Sequence, residues 1–535
     1  KMLEIQETLT TSLKNFNAIK NDVPRHYRAV MEKGVQVMQS SEKLLSSANA
    51  IFPGLMELLG GGENQSAEST LAKADTSTST AAKNTHRTLI LLQNSDEIRP
   101  TGGFIGSFIN LSATQGRIEN IQLEDVYDLD GYYERSLRIQ GNAITPPSPP
   151  SEIARLTNYW FFRDSNFSPD FRVSGKKALE FFEREAASRQ PNQQKANTVI
   201  AVNHKMLRDI LSITGPIEIP GLASALSADN YREVLSYMIE TKRSGTQDPK
   251  KILKDMLPII QKRLFQGANM AQLQQMLLQE IVQKNIYGYS RSASVQQLFT
   301  TLGMDGTLLA ENSNENSDKN TDYLAVIASS FSANKSDAYI KQDIEHDTVI
   351  EHNGDIYDQL TIKRTHQWSA ATLQRWKKVL KPFGFTDFPE HWEKIFGSGE
   401  NKVALRVYIP TGSQLTGADH IPLEKIQTMH DPDLNRSYFS FDMITKPGET
   451  ATIKIRYKLA HALNNFFANT YTFNIQKQLG TPASTFTKHM AFNDFMKLTQ
   501  AYPAEFQTQS DGSLMIGKPL HQDYRFSLLF TRDTR

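Results

Sequence analysis

One stretch, from Arg87 to Phe108, constrains the fold more than any other: Arg-Thr-Leu-Ile-Leu-Leu-Gln-Asn-Ser-Asp-Glu-Ile-Arg-Pro-Thr-Gly-Gly-Phe-Ile-Gly-Ser-Phe. Its apolar run 89–92 is short, rich in branched side chains and bounded by polar residues, which predicts a strand buried on both faces. Directly downstream stand Gln93, Asn94, Asp96, Glu97 and Arg99, then Pro100, Thr101 and the glycines Gly102, Gly103 and Gly106. Polar groups at the carboxyl end of a buried strand, followed by a flexible turn, occupy the place where open α/β sheets keep their ligands. Strand patterns continue over 108–111 and 118–126, joined at Gln115-Gly116. A helix is expected over 174–188, a strand over 197–203 and a short helix over 205–211. This alternation predicts an α/β layered domain.

The chain has 535 residues, and at roughly 100–200 residues per domain it should hold about three units. Residues 1–59 carry apolar positions at helical spacing, among them Leu3, Leu9, Leu13, Phe16, Val30 and Val35, and predict a helical hairpin or stalk. Residues 60–85 are rich in Gly, Ser, Thr and Ala and read as a flexible linker. The α/β domain then spans 86–310, with a helical extension over 228–300. An Asn-rich segment, 311–321, forms a second linker. From 322 to 535 strands recur at regular spacing, alternation is clear in Thr452-Ile-Lys-Ile-Arg-Tyr457, and Asn353-Gly354, Pro447-Gly448 and Asp511-Gly512 mark turns. This predicts an antiparallel β-sandwich region with a helical insertion near 370–397. The fold class is α+β and multidomain.

A net charge of +1 supplies no global field toward nucleic acid or an anionic membrane, and no basic stripe interleaved with aromatics argues for a nucleic-acid partner. Cysteine is absent, which excludes disulfides and thiolate metal sites and suits a cytosolic chain or a bacterial surface protein. No apolar run nears the ~20 residues needed to span a bilayer. Because the sequence opens on Lys1 and Met2, a signal or anchoring helix is expected ahead of it, and membrane attachment only through that missing N-terminal anchor.

Three side-chain constellations could carry chemistry. In the first, Glu97 could act as a base while Arg99 holds a phosphate or carboxylate, with Asn94, Asp96, Thr101, Gly102 and Gly103 around the ligand; a structural ion pair ordering the Gly102-Gly103 turn is the competing reading. The second is Arg163 and Asp164 with Asn166 and Asp170, beside Trp160 and four phenylalanines that could stack on a sugar or cover an acyl chain or simply form a local core. The third is Asp125, Asp128 and Asp130. Placing Gly131 sixth in a calcium loop leaves Val126 first and Leu137 twelfth, so an EF-hand is rejected, and irregular binding of magnesium or calcium is the cofactor these carboxylates would allow. His346 and His352 fall on one face of a strand and read as an exposed polar face, not a zinc site. Walker, G-x-S-x-G and H-E-x-x-H motifs are absent.

The block Leu89-Ile-Leu-Leu-Gln-Asn-Ser-Asp-Glu-Ile-Arg-Pro-Thr-Gly-Gly-Phe-Ile-Gly-Ser107 resembles the signature of domain of unknown function 4012, a family of bacterial envelope proteins. Further blocks are Asp125-Val-Tyr-Asp-Leu-Asp130, Arg163-Asp-Ser-Asn-Phe-Ser-Pro-Asp170, Val199-Ile-Ala-Val202 with Ile213-Thr-Gly-Pro216, and Asn334-Lys-Ser-Asp337. The resemblance implies an extracytoplasmic, membrane-tethered protein and no established activity. The order of elements is also similar to the LytR-CpsA-Psr family, which transfers glycopolymers from lipid pyrophosphate carriers. That likeness would place Glu97 and Arg99 at the first acidic and basic positions and give Arg163-Asp164 a second anion-clamping role.

The expectation is therefore a bacterial cell-surface protein with a structural or glycan-binding role. Its partners would be an envelope glycan or glycopolymer, other surface proteins or further copies of itself. The alternative is a phosphotransferase attaching lipid-linked glycopolymer to the envelope. That alternative requires a long apolar groove beside Glu97, Arg99 and Arg163.

Overall fold

The computed structural model describes residues 11, 14, 51–61, 85–139, 147–189, 195–243, 248–264, 266, 269–309, 321–463, 468–493 and 496–532. Most of the expected stalk (1–59), most of the first linker (60–85) and nearly all of the second (311–321) lie outside these residues. Residues 51–58 are helical, and Ile51 and Leu58 pack on the core beneath the Ala293–Thr301 helix.

The described residues form a mixed α/β structure with three sheets. The first has five strands in the order β3-β2-β1-β4-β5, where β1 is Thr85–Asn94, β2 Phe104–Thr114, β3 Arg117–Asp125, β4 Thr198–Asn203 and β5 Ile286–Ser290. The run 89–92 is thus the central strand. It pairs antiparallel with β2 and parallel with β4. Alternation sorts its side chains: Leu89 and Leu91 are fully buried against Phe108, Phe162 and Phe182, beneath the Phe171–Arg189 helix, whereas Ile90 and Leu92 face the opposite way and remain partly exposed. The acidic segment after β3 forms a helix, Val126–Ile139, whose Val126, Leu129 and Tyr133 are buried; spacing at i, i+3 and i+7 outweighs the charge of the intervening aspartates.

The two remaining sheets have seven strands each. One runs β10 (Gln414–Asp419), β13 (Thr450–Ala462), β8 (Asp355–His366), β7 (Ile340–Ile350), β15 (Thr485–Phe492), β18 (Leu514–Pro519) and β17 (Gln507–Thr508). The other runs β11 (Gln427–Asp431), β12 (Arg436–Thr445), β9 (Asn401–Ile409), β6 (Thr321–Ser330), β14 (Ala468–Gln476), β19 (Tyr524–Arg532) and β16 (Met496–Tyr502). Leu324, Val407 and Phe473 of one sheet share a core with Ile344, Leu360 and Tyr457 of the other. Pairing is mostly antiparallel, but each sheet holds one parallel pair, β6 with β14 and β7 with β15. The insertion near 370–397 is helical and carries Trp376, Leu380 and Phe396 into a core with Tyr237, Met238 and Met256 of the α/β region.

The two regions exchange core residues. Ile98, from the turn after β1, belongs to the core between the seven-stranded sheets, while Leu479, beyond β14, belongs to the core under the five-stranded sheet.

Candidate functional site

The parallel strands β1 and β4 end side by side, with Gln93 opposite Asn203. Beyond them the chain turns at Asn94–Arg99 on one side and enters the Lys205–Thr214 helix on the other. Asp96 sits between these ends: its Oδ2 accepts a hydrogen bond from Arg232 Nε at 2.9 Å, and its Oδ1 lies 3.5 Å from His204 Nε2. The backbone N–H of Ser95 donates to His204 Nδ1 at 3.3 Å, which places the ring proton on Nε2, facing Asp96. Burial alone would raise the Asp96 carboxyl, but Arg232 and His204 outweigh it and hold it below its ordinary range. Burial likewise lowers the His204 imidazole despite Asp96.

Two buried lysines complete the polar rim. Lys335 Nζ lies 2.5 Å from Glu97 Oε1 and 2.9 Å from Glu240 Oε1. Burial pulls this ammonium down, yet the two glutamates outweigh burial and hold it above its ordinary value. Lys250 Nζ donates to Asp125 Oδ1 at 2.8 Å and to the Gly106 carbonyl; here burial wins and lowers the ammonium, with Asp125 opposing.

Behind this rim lies a cavity of about 910 Å³, at the upper end of the ~300–1,000 Å³ typical of small-molecule sites. Its floor is the outward face of the five-stranded sheet, from Leu123 on β3 through Ile109, Ile90 and Leu92 to Ile200, Val202 and Ile286 on β5. At ~4.8 Å between strands, that floor is roughly 19 Å across. Helices Lys205–Thr214, Tyr231–Glu240, Lys251–Leu264 and Met270–Val282 supply apolar walls, including Ile210, Leu235, Leu257 and Leu277. The partial exposure of Ile90, Leu92, Ile200 and Val202 in mid-sheet is the mark of this cavity. Its charged lining residues balance: Asp96, Glu97, Asp125 and Glu240 against Arg232, Lys242, Lys250 and Lys335.

The residues singled out from sequence separate into two groups. Asn94, Asp96, Glu97 and Asp125 line the cavity. Arg99, Thr101, Gly102 and Gly103 lie within the turn. The Arg99 guanidinium donates to the Ser330 carbonyl at 3.2 Å, and Gly102 sits where its φ of +110° and the nearby Gly480 backbone leave no room for a side chain. Tyr287 Oη donates to the Thr101 carbonyl. The loop at 163–170 does meet this turn: Asn166 Nδ2 donates to the Gly103 carbonyl at 2.8 Å, and Asp164 Oδ1 lies 3.8 Å from Arg99 Nε. Arg163 pairs with Asp130 at 2.8 Å and Asp164 at 3.4 Å. Trp160 Nε1 donates to the Asp164 carbonyl at 2.7 Å. Asp170 accepts from the Arg172 and Leu308 amides at 2.8 and 3.2 Å. Arg99, Arg163, Asp164, Asn166 and Asp170 are not among the residues lining the cavity. Nor do Asp125, Asp128 and Asp130 come together: Asp125 faces Lys250, Asp130 faces Arg163, and Asp128 is exposed.

Residues 83–239 match the model of a family described as a protein of unknown function, DUF4012. The matched segment contains β1 to β4 and all but the last residue of the Tyr231–Glu240 helix, and so most of the cavity floor, but not Glu240, Lys250 or Lys335. No curated protein matches the chain. Among solved structures, a candidate nutrient-binding protein of Legionella pneumophila is 10% identical, covers 39% of this chain and 71% of its own, and has a TM-score of 0.24. An M1 zinc metallopeptidase from Deinococcus radiodurans is 9% identical over 36% of this chain and 42% of its own, with a TM-score of 0.19. A candidate protease from Parabacteroides distasonis is 7% identical over 36% and 40%, with a TM-score of 0.18.

Sequence reasoning missed His204, Arg232, Glu240 and Lys250. One signal was available: Arg232, Ser236 and Glu240 stand at i, i+4 and i+8 on a helix whose other residues, Glu233 apart, are aliphatic or aromatic, a polar stripe facing one direction. Lys335 belongs to the block Asn334-Lys-Ser-Asp337, which meets the turn through Lys335 to Glu97 and Asp337 to the Ile98 amide, contacts that no local pattern specifies.

Proposed function

We propose that this chain is a bacterial envelope protein whose α/β region holds an amphiphile, with its long apolar part in the cavity and its polar head at the Asp96, Arg232 and Lys335 rim. The observation that carries this reading is the apolar cavity opening at the carboxyl ends of β1 and β4, where mixed sheets favour ligands. A balanced set of carboxylates and cations suits a head rich in donors and acceptors, the sugar of a lipid-linked glycan among them, because such a head leaves no uncompensated charge. The expected extracytoplasmic location and the glycan-binding role enter here as parts of the same proposal.

Of the groove the phosphotransferase reading requires beside Glu97, Arg99 and Arg163, only the Glu97 part is present: Glu97 stands at the cavity rim beside Lys335, while Arg99 and Arg163 lie outside the lining. In that version Glu97 is the base. Arg99, Arg163 and Asp164 would act by holding the turn and not by touching substrate.

The test is to purify the protein from bacterial membranes, extract it with organic solvent and identify co-purifying lipids by mass spectrometry. Displacement of a fluorescent long-chain amphiphile then measures affinity. A stoichiometric lipid is expected; a protein that carries none and fails to bind long-chain probes would sink the proposal.

A further inference from the structure

The core between the seven-stranded sheets contains a polar cluster remote from the cavity lining. Asp322 on β6, His346 and Thr348 on β7, Asp358 on β8, Tyr471 on β14 and Lys488 on β15 are all essentially unexposed. His346 is therefore a core residue, not part of the exposed polar face expected of it. Asp322, His346 and Asp358 present oxygen and nitrogen atoms within 4.8 Å of one another, and the cluster supplies its own cation. Lys488 Nζ is 2.7 Å from His346 Nδ1, 3.0 Å from Tyr471 Oη and 3.8 Å from Asp322 Oδ2. Tyr471 Oη donates to Asp322 Oδ2, and Thr348 Oγ1 donates to Asp358 Oδ1. The other Asp358 oxygen, Oδ2, is buried with no hydrogen-bond partner. Phe473 closes one side, its ring centroid 4.3 Å from Lys488 Nζ.

Holding the Lys488 ammonium and the Asp322 carboxylate out of water is costly, and the unpartnered Asp358 Oδ2 shows that the cluster offsets its own burial incompletely. A covalent outcome would remove the cost. We propose that Lys488 Nζ and the side-chain carboxyl of Asp322 condense to an internal amide that ties β6 of one sheet to β15 of the other, with Asp358 relaying the proton.

The step needs no outside reagent. The ammonium of Lys488 and the carboxylate of Asp322 first exchange a proton. The free amine then attacks Asp322 Cγ, forming a C–N bond. The C–O bond to one carboxyl oxygen breaks, and that oxygen leaves as water with the two protons the nitrogen has lost. Asp358, protonated, gives a proton to the departing hydroxyl and recovers one from the new amide nitrogen, ending unchanged. The surroundings favour each part: burial lowers the Lys488 ammonium against the pull of Asp322 and Asp358, and burial together with the Asp322 charge raises the Asp358 carboxyl well above its ordinary range. The same desolvation that penalises two separated ions favours a neutral amide.

The experiment is an intact-mass measurement on the full chain, followed by tryptic peptide mapping. The expected result is a mass one water below that of the sequence and a branched peptide joining the Asp322 and Lys488 segments, with cleavage after Lys488 blocked. Lys488→Arg, Asp322→Ala and Asp358→Asn chains should show the full, uncondensed mass. A wild-type chain at its full sequence mass, with Asp322 and Lys488 recovered in separate linear peptides, overturns the proposal whether or not the variants fold.

Discussion

Lys335 shows how a single residue can serve both the fold and the cavity. Its ammonium is buried between Glu97 and Glu240, on elements from three parts of the chain. Lys335→Met would leave two carboxylates facing each other without a cation. Breaking a buried pair in this way costs about 3–5 kcal/mol, and the loss should appear in a urea titration. Replacing Glu97 with Gln instead frees part of the Lys335 charge, and is expected to favour phosphate-headed over neutral amphiphiles in a displacement assay. Lys477 offers a pH test at the same scale. Burial, and then Lys284, push its ammonium down to about 7, against the pull of Asp523, while an unfolded lysine titrates near ~10.4. Between these values the unfolded chain binds more protons, so stability should rise as pH climbs from about 7 toward ~10.4. Lys477→Met should flatten that rise and stabilise the protein at neutral pH. A wild-type unfolding midpoint that stays level over this window would contradict the assignment.

At the scale of elements, the turn after β1 joins two regions and the sheet face behind it forms the cavity. Gly102 approaches Gly480 so closely that an added Cβ would lie 3.0 Å from its Cα. Gly102→Ala, strained also by its positive φ, should destabilise by about 1–3 kcal/mol, measurable by thermal melting. Ile200 projects from β4 into the cavity, so Ile200→Trp should weaken long-chain binding at least ~10-fold while leaving the melting temperature nearly unchanged, since the ring enters open space. Unaltered binding by that variant would place the ligand elsewhere. The strand at 89–92, the helix near 174–188 and the strand near 197–203 were legible because their periodicity is local. β5 was not: five residues, Ile-Tyr-Gly-Tyr-Ser, lie between helices, and its pairing with β4 is a long-range choice that local pattern does not encode. The rim was half legible for the same reason. Asp96 and Glu97 adjoin the central strand, whereas Arg232 and Lys250 reach it from helices distant in sequence.

At the scale of the whole molecule, the α/β region and the paired seven-stranded sheets share residues and are expected to unfold together. Ile98 and Leu479 each sit in the other region's core. The Ile98 amide donates to Asp337 Oδ2 at 3.1 Å, and Gln478 Nε2 donates to the Arg99 carbonyl at 2.9 Å. Separating the regions would expose apolar surface and strand these buried groups. Calorimetry should show one transition over both regions; two well-resolved transitions would contradict this coupling. The sequence alone determined the central strand, its polar turn and the change near residue 322 from helix-rich to strand-rich texture, because short-range spacing and turn chemistry specify such features. Only the tertiary structure decided what the turn after β1 touches. That charged turn, read from sequence as the centre of a site, is partly a buried joint between regions, and the partners of its acidic residues come from segments more than a hundred residues away in sequence. The cavity itself depends on how far four helices stand off one sheet face. Three of those helices share a core with the insertion near 370–397, and no local pattern in the chain records that contact.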